Sequence, residues 1–178
     1  MRRFLVVVAL LGVAALPAGQ VSAKPKPPTA CKTRGLKTYP GDNASRSDIA
    51  QWMAEGATKA RLPAELPVMA ALVESGLRNL PGGDRDSAGF FQMRIGIWNE
   101  GAYLGFPDHP DLQLQWFVDQ ALIVEQARIA AGESLETLLS DDSGYGEWVA
   151  DVIRPPEEFR GRYQLRLDEA RSLICSTA

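Results

Sequence analysis

Read for the spacing of apolar positions, the chain divides into helical segments joined by short turns rich in Gly and Pro. Leu66, Met69, Ala70, Val73 and Leu77 recur at intervals of three and four, which predicts a helix with one apolar face about three turns long. Pro67 is tolerated only in a first turn, where its missing N–H has no intrahelical partner to lose, so the helix starts near Leu66. Gly76 and the run Pro81-Gly82-Gly83 supply the stop, and Glu74 falls in the last turn. Upstream, Ser45-Arg46-Ser47-Asp48 offers N-caps for a helix through about Ala60, with Ile49, Trp52 and Met53 turned inward against the Glu74 helix.

Downstream, Ile95 to Asn99 predicts a short helix carrying Ile97 and Trp98, and Gly101 to Pro110 a loop. Tyr103 and Phe106 in that loop serve either as core plugs or as stacking platforms, since aromatic faces do both. Asp111 to Ala131 is the longest helical pattern, ended by Gly132. A short helix follows over Leu135 to Leu139, then one over Ser143 to Val152 that Pro155 and Pro156 stop. The last helix is expected from about Glu157 to Ile174, its mixed charges forming a solvated face. No Val/Ile/Thr-rich alternating run and no repeat occurs in this part of the chain, which predicts a mainly α, single-domain fold.

The two ends of the chain change this picture. Met1-Arg2-Arg3, the apolar run Phe4 to Leu16 and the small residues before Ala23 read as a secretory leader over 1–23, the run being too short to span a bilayer; an uncleaved anchor is the competing reading. Residues 24–44 then form a Pro-rich linker and N-terminal segment, and 45–178 the folded domain. Without Arg2 and Arg3 the formal charge moves from -3 to -5, spread along the chain, which makes nucleic acid a poor partner. Cys31 and Cys175, the only 2 cysteines, are expected to pair in an oxidising compartment, the alternative being two free thiols. His109 is the only histidine and lies in a turn, which argues against a Ser-His or Cys-His nucleophile system. With no Cys/His cluster and no phosphate loop, neither a metal nor a cofactor is expected. The expected product is a secreted or extracytoplasmic monomer without stable membrane insertion.

Helical residues turn by about 100° each, so Glu74 lies roughly 40° from Ala70 and 60° from Leu77, on the rim of the apolar face. Partial desolvation and the negative end of the helix dipole both raise a carboxyl pKa there, as general-acid catalysis requires. The plain alternative is an ordinary surface Glu at a helix end. What separates the two is the sequel: Glu74-Ser75-Gly76 is followed by Ser87-Ala88-Gly89-Phe90-Phe91-Gln92-Met93. This stretch, from Leu62 to Met93, resembles the lysozyme-like family of lytic transglycosylases and goose-type lysozymes, in which a helix-terminal Glu-Ser precedes a Ser or Gly loop and a Gly-Leu-Met-Gln-like run.

The resemblance implies a lysozyme-like all-helical domain with a cleft at the C-terminal end of the Glu74 helix. It implies action on the β-1,4 bond between N-acetylmuramic acid and N-acetylglucosamine in peptidoglycan glycan strands. Glu74 would be the acid, and Ser75, Ser87 and Gln92 would hold the sugar. A transglycosylase would use Glu74 again as base and leave a 1,6-anhydro end. A goose-type hydrolase would need a second acid, for which Asp84 or Asp86 is placed: Gly83-Asp84-Arg85 matches the goose-type loop, but Arg94 stands where that family has an acid. Many relatives also carry a late Tyr-Asn whose tyrosine faces the catalytic acid, and Tyr145-Gly146 is a loose match to it. With Phe90 and Phe91 in place of Leu-Met and no Tyr-Asn, a non-catalytic wall-binding protein on the same fold is the third reading.

Overall fold

The computed structural model describes residues 24–25, 31 and 35–176, and over these the chain is mainly helical. The predicted leader and most of the Pro-rich segment lie outside the described residues. Helix α1 (Arg46–Lys59) begins where Ser45, in an extended conformation, accepts the Asp48 N–H on its Oγ at 3.1 Å, relieving one orphan donor of the first turn. It buries Ile49, Trp52 and Met53, as the spacing predicts.

Helix α2 (Glu65–Glu74) departs from the amphipathic expectation. Every residue from Glu65 to Leu72 is buried, because α1 and the later helices α4 (Pro110–Ala130), α6 (Tyr145–Ile153) and α7 (Leu167–Cys175) all pack on it. It is the axis of the core, hydrophobic all round. Its end is abrupt: Ser75 and Leu77 both donate their N–H to the Ala71 carbonyl, and Gly76 and Leu77 both adopt left-handed conformations, φ 66° and 62°. For Leu77 that conformation costs roughly 1–2 kcal/mol, offset by burying its side chain to 1% exposure.

After α2 comes a miniature antiparallel ladder, β1 (Ser87–Ala88) against β2 (Met93–Arg94), with Ser87 opposite Arg94 and Ala88 opposite Met93. Too short to show as an alternating pattern, it folds Gly89 to Gln92 into a tight loop. Helix α3 (Ile95–Trp98) follows directly, then 3-10 turns over 101–103 and 106–108 that set up Pro110 at the start of α4. Phe106 is a core plug with 0% exposure, while Tyr103 stands behind Trp98 at 6.1 Å and donates its hydroxyl to Asp119. Helix α5 (Leu135–Ser140) is capped by Ser134, and α6 ends at Arg154 in the left-handed region, before Pro155 and Pro156.

The expected continuous last helix is broken into 3-10 segments over 157–162 and 164–166 ahead of α7. At the start of the second segment Gln164 accepts the Gly146 N–H at 2.6 Å and donates to the Asp142 carbonyl at 3.0 Å. A Cβ at Gly146 would fall 2.7 Å from the Gln164 backbone nitrogen, so the chain passes against α6 more closely than a regular helix with side chains on every face allows.

The Cys31–Cys175 disulfide is formed, with the Cα atoms 5.6 Å apart. Part of the 24–44 linker and N-terminal segment, expected to precede the folded domain, packs on it: Leu36, Tyr39 and Ala44 lie against the core, and the Tyr39 ring sits 5.0 Å from Trp52 and 5.9 Å from Phe90. Among the described residues, no helix is long and apolar enough to cross a membrane.

Candidate active site

The end of α2 opens into a cavity of about 610 Å³, bordered by the β hairpin, α3, α4, the end of α6 and the 3-10 segment that follows it. Glu74 lies in this wall, and among the lining residues it is the only acid. Burial raises its carboxyl above the usual carboxylate range, and the hydroxyl of Tyr163, which donates to Glu74 Oε1 at 2.7 Å, works against that rise without cancelling it. With Oε1 committed to Tyr163, the proton of the neutral acid belongs on the other oxygen. Tyr163 is itself 1% exposed and also lines the cavity; burial first, and then the Glu74 charge, push its own pKa up, so it stays a donor.

Tyr163, not Tyr145, is therefore the tyrosine at the acid. Tyr145 is buried at the first turn of α6, gives its hydroxyl to the Leu139 carbonyl at 2.8 Å and borders no part of this cavity; its role is to fasten α6 to α5. The clue to Tyr163 was present in the sequence, since Tyr163-Gln164 pairs a tyrosine with an amide residue and is a nearer match to Tyr-Asn than Tyr145-Gly146. The expectation of an unbroken helix there hid it.

The other expected residues divide. Ser87 and Gln92 line the cavity. Gln92 holds a left-handed backbone (φ 49°) and anchors its amide nitrogen on the Gly89 carbonyl at 3.1 Å. A Cβ on Gly83 would lie 1.7 Å from Gln92 Oε1, so the glycine leaves the space that the amide occupies. Ser75 does not reach the cavity. Its Oγ lies 3.0 Å from the Ala71 carbonyl and 2.9 Å from that of Phe90, so it stitches the end of the Glu74 helix to the Phe90-Phe91 loop.

Neither proposed second acid borders the cavity. The Asp84 side chain is 95% exposed. Asp86 is drawn away by the Gly96 N–H at 2.7 Å and by Arg94; these hydrogen bonds, the backbone one first, hold its carboxyl below the usual range. Arg94 itself lines the cavity, as do Arg154 and Arg162, giving three cations around one acid. Arg162 lies with its guanidinium carbon 4.0 Å over the Phe159 ring.

A buried amide that composition could not single out organises this wall. Gln113, 0% exposed on α4, accepts the Phe90 N–H at 2.8 Å and donates to Asn79 Oδ1 at 3.0 Å and the Phe106 carbonyl at 3.1 Å. It ties the cavity loop to two other loops. His109 is exposed at the N-cap of α4 and borders no part of the cavity. Among the described residues, no group of three or more His, Cys, Asp or Glu side chains is placed to hold a metal ion.

Compared with protein-family models, with curated proteins and with solved structures, the chain gives no match.

Proposed function

We propose that this protein is an exported peptidoglycan lytic transglycosylase on a lysozyme-like fold, cleaving the β-1,4 bond between N-acetylmuramic acid and N-acetylglucosamine. The observation that carries the reading is a single partly buried acid, Glu74, with a raised pKa and a tyrosine hydroxyl on one oxygen, alone among the acids in a cavity lined by aromatic and arginine side chains. Protonated Glu74 gives its proton to the glycosidic oxygen as the bond from that oxygen to the anomeric carbon breaks. The resulting carboxylate, held by Tyr163, takes the proton of the muramic 6-hydroxyl while that oxygen bonds to the anomeric carbon, and a 1,6-anhydro end forms. No water and no second carboxylate enter.

Three further features support the reading. Phe91, Trp98 and Trp116 offer apolar surface for sugar rings, and Ser87 and Gln92 offer hydrogen bonds. Arg94, Arg154 and Arg162 suit a polymer that carries carboxylates on its peptide stems and on lactyl groups without a stem, although the whole chain has a formal charge of -3. The predicted leader and the disulfide fit an oxidising, extracytoplasmic destination. A goose-type hydrolase draws no support from Asp84 or Asp86, since both lie off the cavity.

Clearing of a peptidoglycan suspension by the wild type and by Glu74→Gln tests catalysis against mere binding. The variant keeps the shape and an acceptor for Tyr163 but delivers no proton, so clearing should fall at least 100-fold while co-sedimentation with the wall persists. Retention of a tenth of the wild-type rate would place the acid elsewhere.

A further inference from the structure

One wall of the cavity is a stretch of chain that apolar burial does not hold. From 153 to 162, between Val152 at 2% exposure and Tyr163 at 1%, no residue is buried. Yet Ile153, Arg154, Pro155, Pro156, Phe159 and Arg162 all border the cavity that contains Glu74. The ends of the stretch are fixed. At one, the Arg154 N–H donates to the Ala150 carbonyl at 2.8 Å; at the other, Tyr163 is buried and Gln164 bonds to Gly146 and Asp142. In between, the Phe159 N–H donates to the Pro156 carbonyl at 2.9 Å and Arg162 covers the Phe159 ring, contacts that shape the wall without tying it to another element.

The tie comes from Arg160. Among the described residues, it supplies every side-chain hydrogen bond and ion pair that links 155–162 to another element. Its Nη2 lies 2.7 Å from Glu147 Oε2 and 2.6 Å from Asp151 Oδ1, and its Nε lies 3.2 Å from the same Glu147 oxygen. Glu147 and Asp151 are one helical turn apart on α6 and so share a face. Asp151 is itself fixed, its other oxygen taking Arg128 of α4 at 2.7 Å. An isolated surface ion pair contributes little, but one guanidinium shared by two carboxylates, 21% exposed and braced from a third element, forms a network. Arg160, Glu147 and Asp151 border no part of the cavity, so any effect they have on a ligand passes through the wall.

We infer that Arg160 is a positioning residue of the cleft: its ion pairs to Glu147 and Asp151 hold the 154–162 wall on α6 and so set where Phe159 and Arg162 meet a substrate. It serves binding and not the acid. Tyr163, which carries the hydrogen bond to Glu74, is secured separately by its own burial and by the bonds of Gln164 beside it. For substrate, this role rests on the cleft being the glycan site proposed above.

The test compares the full chain with Arg160→Met, which keeps an apolar stem and removes the charge, and with Arg160→Lys, which restores a charge without the fork that spans two carboxylates. On soluble glycan strands, Arg160→Met should raise KM about 3- to 10-fold and leave kcat unchanged, with Arg160→Lys between it and the wild type. The titration of Glu74, followed by carbon NMR, should be the same in all three. Amide hydrogen exchange needs no substrate: it should quicken over 157–162 in Arg160→Met and stay as in the wild type at Tyr163 and Gln164. A KM that stays put, a matching fall in kcat with a shifted Glu74 titration, or wild-type exchange across the wall would each overturn this role. If the wild type turns over no glycan, the proposed function falls, and hydrogen exchange still decides whether Arg160 holds the wall.

Discussion

Glu74 and Tyr163 come from opposite halves of the chain and meet in one 2.7 Å hydrogen bond, whose direction sets the chemistry on each side of it. Burial alone favours the neutral acid, which the proposed reaction needs to protonate a leaving oxygen; the tyrosine favours the carboxylate, which that reaction needs for its second proton transfer. Their opposition keeps one group usable in both roles. Because the Tyr163 bond lowers the Glu74 pKa, Tyr163→Phe should raise it further. The first step of the proposed reaction requires protonated Glu74, so the alkaline fall of kcat/KM is predicted to move to higher pH, with kcat reduced about 10-fold as the carboxylate loses a charge-assisted bond. A pH–rate profile of the variant checks this, and an alkaline limb that stays put or moves to lower pH contradicts it. The place of Glu74 at a helix end on the rim of the core was legible from the sequence, because helix geometry acts within one local stretch. Tyr163 was not, since its partner lies 89 positions away and no local spacing encodes that meeting.

Among the elements, the helix bounds were legible where a local signal set them: the Ser45 cap of α1, Pro110 at the start of α4, and Pro155-Pro156 after α6. They failed where tertiary contact overrode propensity. The 157–166 segment carries helix-forming residues, yet the Gln164 hydrogen bonds to the α6 region and the burial of Tyr163 impose 3-10 geometry. The β hairpin escaped the pattern because two residues per strand are too few to alternate.

That hairpin depends on its loop. Gly89 adopts φ 81°, and a Cβ there would stand 2.2 Å from Gln113 Oε1. Gly89→Ala should strain the backbone and displace the buried amide from the Phe90 N–H, a combined loss of roughly 2–4 kcal/mol. Thermal unfolding should show a drop of about 5–15 °C, against almost none for Gly82→Ala, whose Cβ meets open space. Equal stability of the two variants would mean that the Gln113 network does not hold the loop.

For the molecule as a whole, a buried helix with α1, α4, α6 and α7 around it delivers one acid to one cavity, and the covalent tie lies away from that point. The Cys31–Cys175 bridge spans 144 positions, and in the chain-entropy model closing so long a loop is worth about 5 kcal/mol. Reduction should lower the melting temperature by roughly 10 °C or more at this size without changing activity at 25 °C, as calorimetry and a clearing assay would show. An unchanged melting point after full reduction would count against the bridge. The pairing was legible because a count of two cysteines leaves a single connectivity, and the predicted leader made an oxidising compartment the expectation. The packing of Tyr39 on Trp52 and Phe90 was not, because a Pro-rich neighbourhood conceals one residue that docks.

In the proposed reaction Glu74 makes both proton transfers and water makes none. Digestion of peptidoglycan in heavy-oxygen water, with the released muropeptides read by mass spectrometry, separates this route from attack by water. The released ends should be 1,6-anhydro and free of label; a majority of reducing ends each carrying one heavy oxygen would overturn the single-acid route and require an acid that activates water.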